Sequence, residues 1–426
     1  MAAYGEKLNP LRRYREPLGH KGHRQSVVTT NNPSTIDENQ ILTVRFPNLG
    51  PEDLIVPGTA RLAFKIDLES DSDANRKLVN NLGRAIVKKI CIRLEGQEIL
   101  SIDDSDIFFL YSDLWLTENK RSDLVYQGIQ SENVCKLRID AGDKDTSKNK
   151  DVMLANTFGN RFYIPLDFEL LTTHMPYCQS ALNDRLSYEL TFNNYNKVIL
   201  SDDPQAKYKI SEISLEYEIV TSNQLSRNIR DQFQSKVSVY YDRILRHSYS
   251  IKDKQDLVWN INLNTPARSM KGILMLFQIP TAEYGRKCEE FYNPKIKRVS
   301  LVIEGKPNQL FSSGATPLYF YDECRKLFAG GRLNNPSVDL VSKDLHLHDV
   351  RLSEFLFKKY ALWLDFRTTD DSSLHGSGRR IENGSEGITL QIEKEADGTG
   401  PINVYTFVIS DAQMNIENGR LTKLVY

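Results

Sequence analysis

The second half of this chain repeats the first, element by element and in the same order. Val87 to Gly96 reads VKKICIRLEG and Ile296 to Gly305 reads IKRVSLVIEG, two alternating segments that start basic and end on a Glu-Gly corner. Arg61 to Leu68 (RLAFKIDL) has its counterpart in Gly272 to Ile279 (GILMLFQI), and Leu166-Asp167-Phe168 has one in Leu364-Asp365-Phe366. Leu186 to Phe192 (LSYELTF) answers to Ile388 to Lys394 (ITLQIEK), and the run ending near Val220 answers to the run from Val404 onward. A chain made of two similar halves is constrained first by shape, and a repeated shape points to assembly before it points to chemistry.

The repeated segments are strands. Leu62, Phe64, Ile66 and Leu68 fall on one face, with Arg61, Ala63, Lys65 and Asp67 on the other. That period of two belongs to a half-buried strand. Ile90, Ile92 and Leu94 repeat it, as do Leu186 to Phe192 and Ile213 to Ile219. Such alternation is written by antiparallel sheets with one wet face, not by parallel sheets buried on both. Helical signal is sparse: Asp106 to Leu116 and Pro317 to Phe328 each follow their Glu-Gly strand by a similar gap, so both belong to the repeat. Ser222 to Gln234, opening on an N-cap serine, predicts a helical connector between the halves.

At 426 residues the chain exceeds what one hydrophobic core organises and suits two domains of about 100–200 residues each. About eight strands per half, in two sheets, predict an all-β protein of two tandem jelly-roll β-sandwiches with a few short helices. An immunoglobulin-type sandwich is half the needed size, at about 100 residues. The expected division is a basic arm over 1–39, a first roll over 40–221, the connector over 222–235 and a second roll over 236–426. Two polar stretches, Ser131 to Asn160 and Gly330 to Lys359, read as long loops at matched positions, suited to neighbour contact or outward display.

Composition narrows the function classes. No apolar run approaches the roughly 20 residues that span a bilayer, and Met1 to Gln25 is polar and basic, without the apolar stretch of a signal peptide. Synthesis in a reducing cytosol or nucleus is the expectation. Cys91, Cys135, Cys178, Cys288 and Cys324 are odd in number and widely spaced, neither a disulfide framework nor a zinc ribbon. The net charge of −1 gives the whole molecule no field that gathers nucleic acid.

No enzyme signature, and so no catalytic, cofactor or metal residue, emerges. GxSxG, GxxxxGK[ST] and HExxH are all absent. Gly376-Ser377-Gly378, beside His375, Arg379 and Arg380, precedes a strand rather than opening a helix, and reads as a turn. His346-Leu347-His348 fails the cupin metal pattern, with Leu340 where that family has Gly and Glu354 one residue beyond its Glu range. Asp103, Asp104 and Asp106 lack EF-hand spacing and suit the cap of a following helix. Trp115, Trp259 and Trp363 stand in apolar contexts that predict burial. That leaves little for the alternative of a tandem lectin, which needs clustered aromatics in loops. Tyr240-Tyr241, Tyr319 and Tyr321 read as loop-end aromatics suited to subunit contacts.

The arm carries Lys7, Arg12, Arg13, Arg15, Lys21 and Arg24 against Glu6 and Glu16. Two readings stand side by side: a solvated tail, and an inward arm in which Arg12, Arg13, Arg15, Lys21 and Arg24 touch nucleic acid or neighbouring subunits.

Several stretches in order resemble the major capsid proteins of Polinton (Maverick) elements and the related adintoviruses. They are Val56-Pro57-Gly58-Thr59 through Leu68, Asn80 to Lys89, Ile164 to Leu170, Tyr188 to Asn193 and Trp259 to Asn264. Phe291 to Ile296, Leu374 to Arg380, Asp411-Ala412-Gln413 and Asn415-Ile416-Glu417 continue the series. The likeness runs from about Gln40 to Tyr426 and leaves out the arm. It implies a double jelly roll standing upright in a shell, three copies forming a pseudo-hexagonal capsomer that tiles an icosahedral virion. Adenovirus hexons belong to the same wider lineage. The implied partners are a homotrimer, neighbouring capsomers, penton or minor capsid proteins and, through the arm, packaged DNA. The family carries no catalytic residues and no cofactor. The implied location is the capsid shell, after assembly in the host cytoplasm or nucleus.

Overall fold

The computed structural model describes residues 24–30, 35–69, 76–79, 82–116, 124–129, 161–172, 176–201, 207–251, 253, 255–263, 265, 267–280, 290–307, 314–328, 350–367, 378–381 and 387–426. The first half contributes β1 (Arg24–Thr30), β2 (Thr35–Ile36), β3 (Ile41–Arg45), β4 (Asp53–Ile55), β5 (Arg61–Glu69) and β6 (Arg76–Leu78). It continues with β7 (Val87–Leu94), β8 (Gln97–Asp103), β9 (Arg161–Pro165), β10 (Ser187–Phe192), β11 (Ile199–Ser201) and β12 (Lys207–Thr221). The second half has β13 (Val237–Ile251), β14 (Val258–Leu263), β15 (Ala267–Gln278), β16 (Ile296–Ile303) and β17 (Lys306–Pro307). Then come β18 (Ala361–Asp365), β19 (Arg379–Ile381), β20 (Ile388–Lys394), β21 (Ile402–Glu417) and β22 (Arg420–Val425).

The two halves share one topology. In the first, one sheet runs β1-β12-β5-β9, with β2 and β4 also on β12, and the other runs β3-β10-β7-β8. In the second, the orders are β13-β21-β15-β18, with β19 and β22 attached, and β14-β20-β16-β17. Numbering the eight principal strands of each half in chain order gives 1-8-3-6 and 2-7-4-5 both times. Consecutive strands thus alternate between sheets except the fourth and fifth, which pair as a hairpin within one sheet (β7-β8 and β16-β17), the pattern of a jelly roll. A two-stranded β6-β11 ribbon is added in the first half, with no counterpart among the described residues of the second.

Alternation and turn chemistry produce this arrangement. β3 and β14 both begin exposed-buried-exposed-buried, with Leu42 and Val44 answering to Trp259 and Ile261. The Glu-Gly corners are two-residue hairpin turns: Glu95 and Gly96 have φ of 52° and 73°, and Glu304 and Gly305 have 50° and 75°. Positive φ at both central residues matches the twist of the flanking strands. Asn418-Gly419, at 52° and 72°, makes a third such turn between β21 and β22. The sandwiches close on aromatic cores. Phe46 touches Tyr188 of β10 and Tyr217 of β12 at ring distances of 6.3 and 6.4 Å in the first half. Trp259 of β14 meets Phe277 of β15 at 6.2 Å in the second.

By compactness the chain divides into two units, Met1–Asp106 with Leu124–Tyr241 and Ala412–Val425, and Ile107–Asp123 with Asp242–Asp411 and Tyr426. In the first unit the helix Asn223–Gln234 is capped as the sequence implied, the Ser222 hydroxyl accepting from the Leu225 amide at 3.4 Å. Leu225, Ser226, Ile229 and Phe233 form its buried stripe. In the second unit, helix Pro317–Phe328 packs on β18.

Three readings of the sequence change. Within the 1–39 stretch, Arg24–Thr30 is a strand paired along β12, consistent with its run of β-branched Val27-Val28-Thr29-Thr30. The Gly330–Lys359 stretch is not loop to its end: Leu352–Phe357 is helical around buried Phe355. Tyr240 and Tyr241 lie inside β13 rather than at a loop end, Tyr240 outward and Tyr241 buried with its hydroxyl donating to the Ile99 carbonyl at 3.0 Å.

Candidate assembly surfaces

Within the first unit, the outward face of β5, β9 and β12 is charged and wet. The Arg61 guanidinium lies 3.0 Å from Glu216 and stacks over the Tyr163 ring at 3.9 Å. Arg161 reaches the same carboxylate at 3.1 Å, and Lys65 stands 3.8 Å from both Asp67 and Glu212. Exposed pairs of this kind stabilise by at most about 1 kcal/mol each, and their effect is to keep the face soluble and specific. The outward face of β7, β8 and β10 is similar, with Lys89 on Asp103 at 3.0 Å and Arg93 on Glu189 at 3.1 Å.

Within the second unit, the matching face of β15, β18 and β21 is apolar and covered. Leu274, Trp363 and Phe407 lie in one row across the three strands, and all are buried. Phe108 of helix Ser105–Asp113 closes edge-on over Phe407 at 5.3 Å. Beside it Tyr111 and Trp115 pack against Phe328, and Tyr111 also against Phe291.

The acids that suggested a helix cap or a cation site are already engaged. Asp103 pairs with Lys89, and Asp106 accepts from the Asn193 amide at 2.7 Å just inside the helix. Among the described residues no cluster of His, Cys, Asp and Glu could hold a metal ion. His346 and His348 lie outside the described residues. His247 is half-buried against Thr265, 2.7 Å away, and burial followed by the Arg246 charge depresses its pKa. The three thiols among the described residues are poor nucleophiles: burial, with the Glu98 charge second, pushes Cys91 up to about 11, and burial raises Cys178 and Cys324. Of the Gly376-Ser377-Gly378 segment only Gly378 lies among the described residues; it sits at a bend and its amide donates to the Ser269 hydroxyl at 2.8 Å.

All three tryptophans are buried, so none serves as a loop platform for a sugar. Among the described residues the large apolar side chains left exposed are Ile41, Tyr126 and Tyr240 in the first unit, and Leu257, Val258, Ile279, Leu318, Leu352 and Phe357 in the second. Of these, the sequence marks only Tyr240 as a contact residue; an outward aliphatic at the start of a strand leaves no motif. Of the arm residues, Arg12, Arg13, Arg15 and Lys21 lie outside the described residues. Arg24 opens β1, opposite Val220.

Neither a protein-family model nor a curated protein sequence matches the chain. Solved structures do. The PBCV-1 VP54 structure fitted into a reconstruction of the virophage Sputnik matches with a TM-score of 0.62 at 13% identity, over 95% of this chain and 97% of that one. The fold is a double jelly roll. The Faustovirus major capsid protein matches at 0.54 and 7% identity, covering 93% and 91% of the two chains. The mavirus major capsid protein does so at 0.51 and 12%, covering 97% and 92%. At such identities the likeness is one of architecture, and it extends over nearly the whole of each chain.

Proposed function

We propose that this chain is a viral major capsid protein of the Polinton (Maverick)/adintovirus type, a structural subunit with no catalytic role. The observation that carries the reading is the duplicated topology, 1-8-3-6 and 2-7-4-5 in each half. Three copies of a two-roll subunit present six similar walls, and six similar walls tile a hexagonal lattice. A closed trimer of this kind needs a heterologous interface, roll one of each copy against roll two of the next. Such obligate interfaces bury more than about 2,000 Å². The functional division follows the same lines: a first roll over 40–221, a connector over 222–235 and a second roll over 236–426.

The partners are then two further copies, neighbouring capsomers and the penton or minor proteins that complete an icosahedral shell, with the virion as location. The basic arm, through Arg12, Arg13, Arg15, Lys21 and Arg24, faces inward onto packaged DNA. Contacts of that kind weaken steeply with salt. Deleting Met1 to Gln25 is expected to preserve trimers and reduce genome packaging, and unchanged packaging would refute the arm's role. Negative-stain micrographs of the purified protein test the main reading: hexagon-outlined trimers support it, and isolated single chains at all concentrations sink it.

A further inference from the structure

Phe357 is the most exposed large apolar side chain among the described residues, at 74%. It ends the helix Leu352–Phe357, and Leu352 at the other end is exposed too. Between them Phe355 is fully buried, its ring 5.3 Å from Tyr321 and 5.1 Å from Tyr360, so the helix is anchored while its ends point outward. The flanks are basic. Arg351 at the N-cap is exposed and has no ion pair among the described residues, and the Lys358 ammonium sits 5.7 Å from the Phe357 ring, held by Glu290 at 2.8 Å. An apolar patch with a positive rim is a docking surface in form.

The first unit carries its complement. Ile41, 62% exposed, opens β3, whose one sheet neighbour among the described strands is β10. Asp37 and Glu38 immediately precede it, with Asp37 exposed. Soluble sheets avoid a branched aliphatic on an open edge, because the edge offers unpaired backbone groups to any passing strand. Here the feature occurs twice. Val258 opens β14, also an edge strand, and is 46% exposed. It stands opposite Glu393 as Ile41 stands opposite Thr191, which is the same position in the repeat.

We propose that the Leu352–Phe357 helix of one copy docks on the β3 edge of a second copy, with Phe357 against Ile41 and Arg351 facing Asp37. Charge decides the occupant: a basic-rimmed apolar patch fits an acidic-rimmed one, and this chain carries both, one on each roll. The contact is heterologous, as ring closure requires. It rests on the trimeric reading above and names the side chains that would hold the trimer together.

Sedimentation velocity on the full-length protein tests it. Phe357→Asp and Ile41→Asp are each expected to weaken trimer association at least tenfold, with circular dichroism and melting temperature unchanged. Arg351→Glu and Asp37→Arg are each expected to weaken it several-fold, and the two together to recover most of the loss. Single variants as fully trimeric as wild type, or a double variant weaker than either single one, overturn the docking contact alone. A wild-type chain that never trimerises overturns the reading beneath it.

Discussion

The outward faces of two equivalent sheets, β5-β9-β12 in the first half and β15-β18-β21 in the second, differ in almost every side chain. Where the first has Arg61, Ala63 and Lys65, the second has Gly272, Leu274 and Leu276; Tyr163 answers to Trp363, and Ser214 to Phe407. One face is wet and laced with ion pairs, and the other is dry and roofed by Phe108. Strand order and inward residues are nevertheless the same kind in both, with Leu62, Phe64 and Ile66 matching Ile273, Met275 and Phe277, all buried. The jelly roll is therefore specified by its inner alternation and its turns. Its outer faces are free to follow whatever covers them.

That contrast can be broken most sharply at Trp363 and Tyr163. Trp363→Ala is expected to cost about 3–5 kcal/mol, as removal of a buried aromatic does, whereas Tyr163→Ala loses a cation–π contact with Arg61 of about 0.5–1 kcal/mol and an edge-on contact with Tyr126 of about 0.5–1.5 kcal/mol. Denaturant titrations of the two variants that came out equal would contradict the contrast. Gly272→Ala comes next: a methyl there lies 2.4 Å from the Trp363 ring and 2.6 Å from the Leu364 carbonyl. Overpacking of that sort costs about 1–3 kcal/mol, while Arg61→Ala at the equivalent position creates no clash.

The shared features should respond alike. Gly96→Ala and Gly305→Ala each force a side chain into left-handed backbone, at roughly 1 kcal/mol apiece, and equal losses in thermal melts are expected from the matched turns. On the wet face, a double-mutant cycle on Arg61 and Glu216 is expected to give a coupling of about 0.2–1 kcal/mol that shrinks in high salt.

The smallest effect concerns acid. The Arg185 backbone amide and then Arg45 hold Asp184 below the usual carboxylate range, against the pull of burial. A depressed carboxylate contributes stability above its unfolded pKa of about 3.9 and loses it as pH falls through the lower folded value. Asp184→Asn is therefore expected to flatten the decline of melting temperature below about pH 4, and an identical acid profile would contradict this.

Much of the fold was legible because period two and turn residues are local properties. The Glu-Gly corners, the Ser222 cap and the three buried tryptophans follow from neighbours in sequence. β22 was missed although Asn418-Gly419 between apolar runs is a strong hairpin signal. β1 was hidden inside a basic stretch whose composition masked four β-branched residues. The covered face of the second sheet could not be read at all: Leu274 and Leu276 announce burial on both sides, but nothing local says that Phe108, some 300 residues from Phe407, supplies the roof. The residues of the proposed docking contact, Ile41 and Phe357, are equally silent, since an outward apolar side chain acquires meaning only when its neighbours are known.

The central claim is that two like sandwiches in one polypeptide let a threefold object fill a sixfold place. Light scattering coupled to size exclusion reads the particle mass directly. The account predicts three chains per particle across the accessible concentration range, and a mass of one chain throughout would contradict it.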